Sequence, residues 1–351
     1  MANTSGSKLK VVVVGTGGIA KTHMKGWMKI ADAQIVGACD TVPERAEAYA
    51  KECGGGAAVF TDFAKAVKCA ADVIDVCTPN KYHTPVVLAA LAAGKHVLCE
   101  KPLAITPKEV EKIIAARDKA KKMVMTAQHM RFEGKSQALK KYVAGGCLGE
   151  VYYGRSWLLR RRMTPTWGVF ANKELSGGGP GIDVGVHCLD LALYLMNNFE
   201  PVSVTGIAPC KLAKKPGIYN RWGDIDPKTY EVEDLAVGFI RFANGAALSL
   251  EASWMLNMPE RDIFKISLFG DKAGAVYPEL TIADEHNRTP VNITLTDAPE
   301  ISGHEAEIKA FFEAVTNNLC SPVPPEESLQ VIKILDGIYK SHQTGKEVRL
   351  N

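Results

Sequence analysis

Val11-Val12-Val13-Val14-Gly15-Thr16-Gly17-Gly18-Ile19-Ala20 reads as a buried strand that breaks into a glycine turn and re-enters as a helix. A short β-branched run of this kind suits a strand covered on both faces of a parallel sheet. The turn has the spacing GxGxxA. Gly15 permits the tight turn, Gly17 lets the backbone approach a pyrophosphate, and Ala20 allows close packing of helix on strand. The helix start at Gly18 and Ile19 then offers free N–H groups and a positive dipole end to phosphate. Asp40 ends the next strand, about 20 residues on, where a carboxylate meets the ribose hydroxyls. Together these predict a dinucleotide site.

Asp40 also bears on which dinucleotide. A carboxylate accepts from a free 2′-hydroxyl and repels a 2′-phosphate, so NAD is favoured over NADP. Arg45 stands close by in sequence, either as an exposed helix residue or as a guanidinium able to hold phosphate.

Outward from this stretch, strand patterns at residues 34–39, 71–77, 96–99 and 124–128 alternate with helical ones. That alternation implies right-handed βαβ crossovers and an α/β Rossmann domain. Ligands bind outside the carboxyl ends of such strands. Thr78, Pro79 and Asn80, with His83 shortly after, and Glu100-Lys101-Pro102 are therefore candidates to line the cofactor crevice. Lys101 caps a buried strand at that edge and is a candidate for chemistry.

The rhythm changes at about residue 130. Alternating runs at 150–159, 202–207, 235–242, 246–254 and 262–269 predict an antiparallel sheet flanked by helices, an α+β domain. The division is residues 1–130 for the dinucleotide and 131–351 for the substrate. Within the second part, Gly177-Gly178-Gly179-Pro180-Gly181 makes a loop whose backbone can approach a ligand. On the helix after it, Asp183, His187 and Asp190 fall at i, i+4 and i+7, within an arc of about 60°. Val184, Cys188, Leu191 and Leu195 form a separate apolar stripe. Two or three such groups on one face are not a metal site, so no metal is expected.

Composition closes off other classes. The 351 residues exceed one ordinary core and suit two domains. Lys and Arg number 42 against 39 Asp and Glu, a balance with no footprint for nucleic acid or an anionic membrane. The apolar runs fall far short of the roughly 18–20 residues of a membrane span. Nine scattered cysteines show no zinc spacing, and residues 1–7 lack the apolar segment of a secretory signal. A reducing cytoplasm is the expected location.

GxGxxA, Glu100-Lys101-Pro102 and Asp183-x-Gly185-x-His187-x-x-Asp190, in this order, resemble the glucose–fructose oxidoreductase/inositol dehydrogenase/MocA family. The likeness extends to the strand exit at residues 128–132, the turn at 145–151 and Glu233-Asp234. It implies that Lys101, Asp183 and His187 are the catalytic set. It also implies a large open, mainly antiparallel sheet that packs subunit on subunit, giving a homodimer or homotetramer. The implied reaction is hydride transfer between a secondary alcohol of a sugar, glycoside or inositol and the nicotinamide. His187 then takes the hydroxyl proton, Lys101 stabilises developing alkoxide, and Asp183 binds a neighbouring hydroxyl or orients the imidazole. An equally physical assignment makes Lys101 the base. Residues 160–170 look like the substrate loop of sugar-oxidising members, with Arg160 and Trp167 as candidate contacts and Arg131 beside them. Two rivals stand: a glycoside-cleaving enzyme using transient sugar oxidation, and a regulator that binds dinucleotide without turnover.

Overall fold

The computed structural model describes residues 8–350. Residues 1–7, read above for a leader, and Asn351 lie outside them. Two compact units emerge, Met1–Phe132 with Ile301–Leu329, and Glu133–Glu300 with Gln330–Asn351. The sequence rhythm placed the division at 130 but gave everything beyond it to the second part.

In the first unit the chain runs β1 (Leu9–Val14), α1 (Gly18–Met28), β2 (Ala33–Cys39), α2 (Pro43–Glu52), β3 (Ala58–Phe60), α3 (Phe63–Ala66), β4 (Val73–Val76), α4 (His83–Ala92), β5 (His96–Glu100), α5 (Pro107–Ala120) and β6 (Val124–Ala127). The six strands are parallel in the order β3-β2-β1-β4-β5-β6. The order reverses between β1 and β4, and a crevice opens at such a switch point. β3, three apolar residues at the sheet edge, is too short to show a period. Val11, Val12 and Val13 are wholly buried, as a doubly covered strand requires.

The second unit continues with α6 (Gly134–Ala144), β7 (Val151–Arg160), α7 (Lys173–Ser176), α8 (Val186–Met196), β8 (Pro201–Ile207), β9 (Leu235–Phe242), β10 (Ala247–Ser253), β11 (Asp262–Gly270), β12 (Gly274–Tyr277), β13 (Thr281–His286) and β14 (Thr289–Thr294). After these come α9 (Gly303–Thr316), α10 (Pro325–Thr344) and β15 (Val348–Arg349). Nine strands form one sheet in the order β14-β13-β12-β11-β7-β10-β9-β8-β15. Only β7 and β10 pair in parallel; the other pairs run antiparallel. One face lies under α8, where Ser156 Oγ donates to the Cys188 carbonyl at 2.8 Å. The opposite face of β7 and β11 carries Tyr153 stacked on Phe269, with the Arg155 guanidinium over both.

α9 belongs to the first unit. Its Phe311 meets Trp27 of α1 edge to face at 6.1 Å. A Cβ on Gly26 would stand 2.5 Å from Ile308 Cδ1, so the Ile308 side chain packs directly onto the α1 backbone there.

Candidate active site

At the switch point, Gly15 has φ +87°, and a Cβ there would lie 2.6 Å from the Cys77 carbonyl carbon. Glycine is required on both counts. At Gly17 and Gly18 an added Cβ meets nothing within 4 Å. The helix they open has no side-chain cap, so its first N–H groups face open space. Asp40 turns back to this turn. Its Oδ2 accepts from Thr16 N at 3.0 Å and Thr16 Oγ1 at 2.9 Å, and its Oδ1 accepts from Val42 N at 3.0 Å. A carboxylate offers about four acceptor positions, so one remains for a ribose hydroxyl. Burial pushes the Asp40 pKa upward, but these donors and the Arg45 charge outweigh it and hold the carboxyl below its ordinary range. Arg45 itself is exposed on α2.

Past β4, at the carboxyl end of the strand, Thr78 Oγ1 is buried with no protein partner. Pro79 is exposed and Asn80 half-buried beside it. The uncapped helix start, the open space at Gly17 and Gly18, Asp40 and Thr78 fit a bound dinucleotide. His83 fits it less well: fully buried, its ring nitrogens lie 2.7 Å from the Pro102 carbonyl and 2.9 Å from that of Thr78. It braces the two loops against each other.

Lys101 is half-buried at the end of β5. Its peptide N–H donates to Glu100 Oε2 at 3.0 Å, and Glu100 Oε1 lies 2.9 Å from His23 Nε2. Burial raises the Glu100 pKa, but His23 and Lys101 overcome that and bring it to about 2. The side chain expected at the cofactor therefore turns inward and fixes the Lys101 peptide. Arg131, 2% exposed, is ion-paired with Glu327. That pairing gives it an internal anchor in the first unit where the resemblance implied a substrate contact.

The second unit builds around Asp183. Residues Gly181–Gly185 form a π-helical turn leading into α8. A wider turn changes the angular step between Asp183 and His187, while His187 and Asp190 keep α-helical spacing on α8. Asp183 and His187 are half-buried, whereas Asp190 is 1% exposed. Trp254 Nε1 donates to Asp183 Oδ2 at 3.1 Å. Phe170 meets Trp254 edge to face at 6.3 Å, Trp167 meets Phe170 at 6.4 Å and Trp222 at 5.2 Å, and the Arg160 guanidinium lies 5.2 Å over Trp222. Burial lowers the Arg160 pKa against the pull of Asp183 and Asp262. Arg161 and Arg162 point elsewhere, onto the backbone at Pro259 and Leu256. Neither Trp222 nor Trp254 was a candidate site residue in the sequence; the signals were that Trp254 closes the predicted strand 246–254 and that Trp222 ends a loop, residues 219–222, that suits either a pocket cover or a subunit contact.

The glycine loop before Asp183 also differs from expectation. Glu233 accepts from the N–H groups of Gly179 and Gly181, each at 3.0 Å, and from the Tyr339 hydroxyl at 2.7 Å. A Cβ would stand 2.3 Å from that hydroxyl at Gly178 and 2.4 Å from the Glu233 carbonyl oxygen at Gly179. The glycines admit the protein's own chain, not a ligand.

A switch-point crevice with an uncapped glycine turn, joined in one chain to a carboxylate set in an aromatic wall, defines a dinucleotide-dependent oxidoreductase. Residues 9–128 match the family described as "Oxidoreductase family, NAD-binding Rossmann fold" and residues 140–350 the "Oxidoreductase family, C-terminal alpha/beta domain". The chain belongs to this Gfo/Idh/MocA family of NAD(P)-dependent sugar dehydrogenases, which act on CH–OH groups. It is 34% identical to the D-glucoside 3-dehydrogenase of Escherichia coli K12 over 345 residues, 98% of each chain. It is 28% identical to the 1,5-anhydro-D-fructose reductase of Ensifer adhaerens over 96% of this chain and 97% of that one. Among solved structures, levoglucosan dehydrogenase in complex with NADH and L-sorbose matches the fold with TM-score 0.85 at 24% identity, over 98% of this chain and 99% of that one. Among the described residues no helix is long and apolar enough to cross a membrane.

Proposed function

We propose that this protein oxidises a secondary hydroxyl of a sugar or glycoside, with the 3-hydroxyl of a hexopyranoside as the first candidate and NAD as acceptor. The observation that carries this reading is Asp183, held by the Trp254 indole beside Phe170, Trp167 and Trp222. A carboxylate binds hydroxyls while aromatic faces cover the apolar face of a pyranose ring. The 3-position is supported by the relative named D-glucoside 3-dehydrogenase, which matches over both full lengths.

A dinucleotide held at Gly15, Gly17 and Asp40 would supply the hydride-accepting chemistry. Everything else falls to side chains. His187 takes the proton of the reacting hydroxyl, Lys101 donates a hydrogen bond to the same oxygen as charge develops on it, and Asp183 holds a neighbouring hydroxyl. Glu100 keeps the Lys101 peptide in register. Assembly as a homodimer or homotetramer, through the open face that carries Tyr153, Arg155 and Phe269, completes the reading and is checked by light scattering.

The full chain is incubated with NAD or NADP and a panel of methyl glucosides, inositols, aldoses and sugar acids. Reduced cofactor is followed by absorbance and product by NMR. The expected result is a ketosugar formed in step with NADH, and faster with NAD than NADP. Aglycone release without net NADH would move the protein to the glycoside-cleaving rival, and dinucleotide binding without turnover to the regulator.

A further inference from the structure

Behind Lys101 lies a buried polar cluster that the proposed reaction leaves unused. His23 on α1 and Glu100 at the end of β5 meet His304 and Glu307 on α9, all within the first unit. One donor atom from each of the four lies within 4.8 Å of the other three. His23, Glu100 and Glu307 are buried, and His304 is half-buried, which leaves a path inward. His304 Nδ1 is 3.1 Å from Glu307 Oε1, while Glu307 Oε2 is buried with no protein partner.

His23 is already oriented as a metal ligand would be. Its Nδ1 sits 3.0 Å from both Asp75 oxygens, and Asp75 is itself fixed by the Trp27 indole N–H at 2.8 Å. A histidine ligand characteristically gives its other nitrogen to a carboxylate in this way. Nε2 is left facing Glu100. Two carboxylates and two imidazoles neutralise a 2+ charge that could not otherwise be buried. The donor set, two nitrogens and two oxygens with no thiolate, belongs to a first-row divalent ion and not to calcium or magnesium.

We propose that His23, Glu100, His304 and Glu307 bind one divalent transition-metal ion, of the zinc class, in a structural site behind the Lys101 peptide. The ion ties α9 to α1 and to the strand that ends at Lys101. Because Glu100 reaches the cluster through Oε1 and the Lys101 N–H through Oε2, it also steadies that peptide. The sequence concealed this site because its donors are spread from residue 23 to residue 307.

The test measures metal and not turnover, so it stands apart from the proposed reaction. The full chain, purified without a histidine tag and stripped with chelator, is titrated with Co²⁺ and then Zn²⁺. The expected result is one Co²⁺ per chain, visible ligand-field absorption without a thiolate charge-transfer band, displacement by Zn²⁺ and a rise in Tm. Glu307→Gln and His304→Gln should each weaken Co²⁺ at least about tenfold, since even outer partners of a metal ligand are worth roughly 10–100-fold. His286→Ala, at the exposed His286–Asp284 pair, should change nothing. Should Glu307→Gln fail to fold, the half-exposed His304 position decides. No saturable binding, a thiolate band, or undiminished affinity in the folded variants overturns the site and leaves a hydrogen-bonded network alone.

Discussion

The molecule contains two glycine-rich loops of similar composition, residues 15–18 and residues 177–181, and they do opposite things. The first leaves empty space: at Gly17 and Gly18 a side chain would touch nothing. The second is filled by Glu233 and Tyr339, which occupy the room its missing side chains vacate. Glycine marks a close approach in both cases. On the proposed reading a phosphate group approaches the first, whereas the protein's own Glu233 and Tyr339 fill the second, and only the distant residues decide which. The first loop is thus left open, and the second serves the placement of Asp183.

Five substitutions press on this contrast. The largest effect is expected beyond the loops, at the residues they serve. Lys101→Met and His187→Ala should each lower kcat by about 10²–10⁴-fold, with NAD affinity nearly unchanged, as measured by steady-state kinetics and cofactor titration. If His187→Ala turns over almost as fast as the parent, the proton goes to Lys101 instead.

Gly179→Ala should cost roughly 2–4 kcal/mol of stability, because its Cβ must displace backbone and not a flexible side-chain tip. Denaturant unfolding would register it, and cofactor affinity of the folded fraction should stay as it was. Gly17→Ala should do the reverse. Its Tm should hardly move, while the Kd for NAD rises about tenfold, on the order of 1.4 kcal/mol, because the methyl occupies space meant for the pyrophosphate. A Gly17→Ala variant that binds NAD normally would erase the difference between the loops.

The smallest effect belongs to Asp40→Asn, and it depends on pH. Because the folded Asp40 carboxyl lies below its ordinary range, its contribution is present above the unfolded pKa and is lost as pH falls through the folded one. Parent and variant should thus differ in stability at neutral pH and converge below about pH 4. Asp40→Asn should also narrow the preference for NAD over NADP.

Much of the first unit was legible because its signals are local. A four-valine strand, three glycines and an aspartate at a fixed offset place the crevice, and β1, β2 and β5 stand within a residue or so of where their patterns put them. β3 was invisible because three half-exposed edge residues carry no period. The second unit yielded its long strands, Asp183 and the Arg160 and Trp167 part of the wall around it, but not Trp222 or Trp254. The spacing of residues 183–190 assumed an α-helical step throughout, whereas the π-helical turn at Gly181–Gly185 changes the step around Asp183, and Asp190, on α8 with His187, is buried. Trp222 lies on an irregular loop, where no periodicity distinguishes a platform from a surface ring. The His23 cluster left only one trace, a charged Asp75 inside the apolar run Val73–Val76. A buried charge needs a partner, but the sequence does not say where the partner is.

The return of residues 301–329 to the first unit also sets a timetable. A ribosome delivers the six strands of the nucleotide unit early, yet Ile308, Phe311 and Val323 of its core emerge only after residues 133–300 have been made. Until then Trp27 and the α1 surface around Gly26 stand uncovered. Domains usually fold in the order in which they are made, N-terminal first. Here the nucleotide unit must wait for residues 301–329, and the second unit waits longer still, because residues 330–351, with buried Ile334, Leu335 and Ile338, are made after them. A fragment cut at residue 132 would lack a helix its core requires, whereas a chain permuted to begin near residue 301 would supply that helix first.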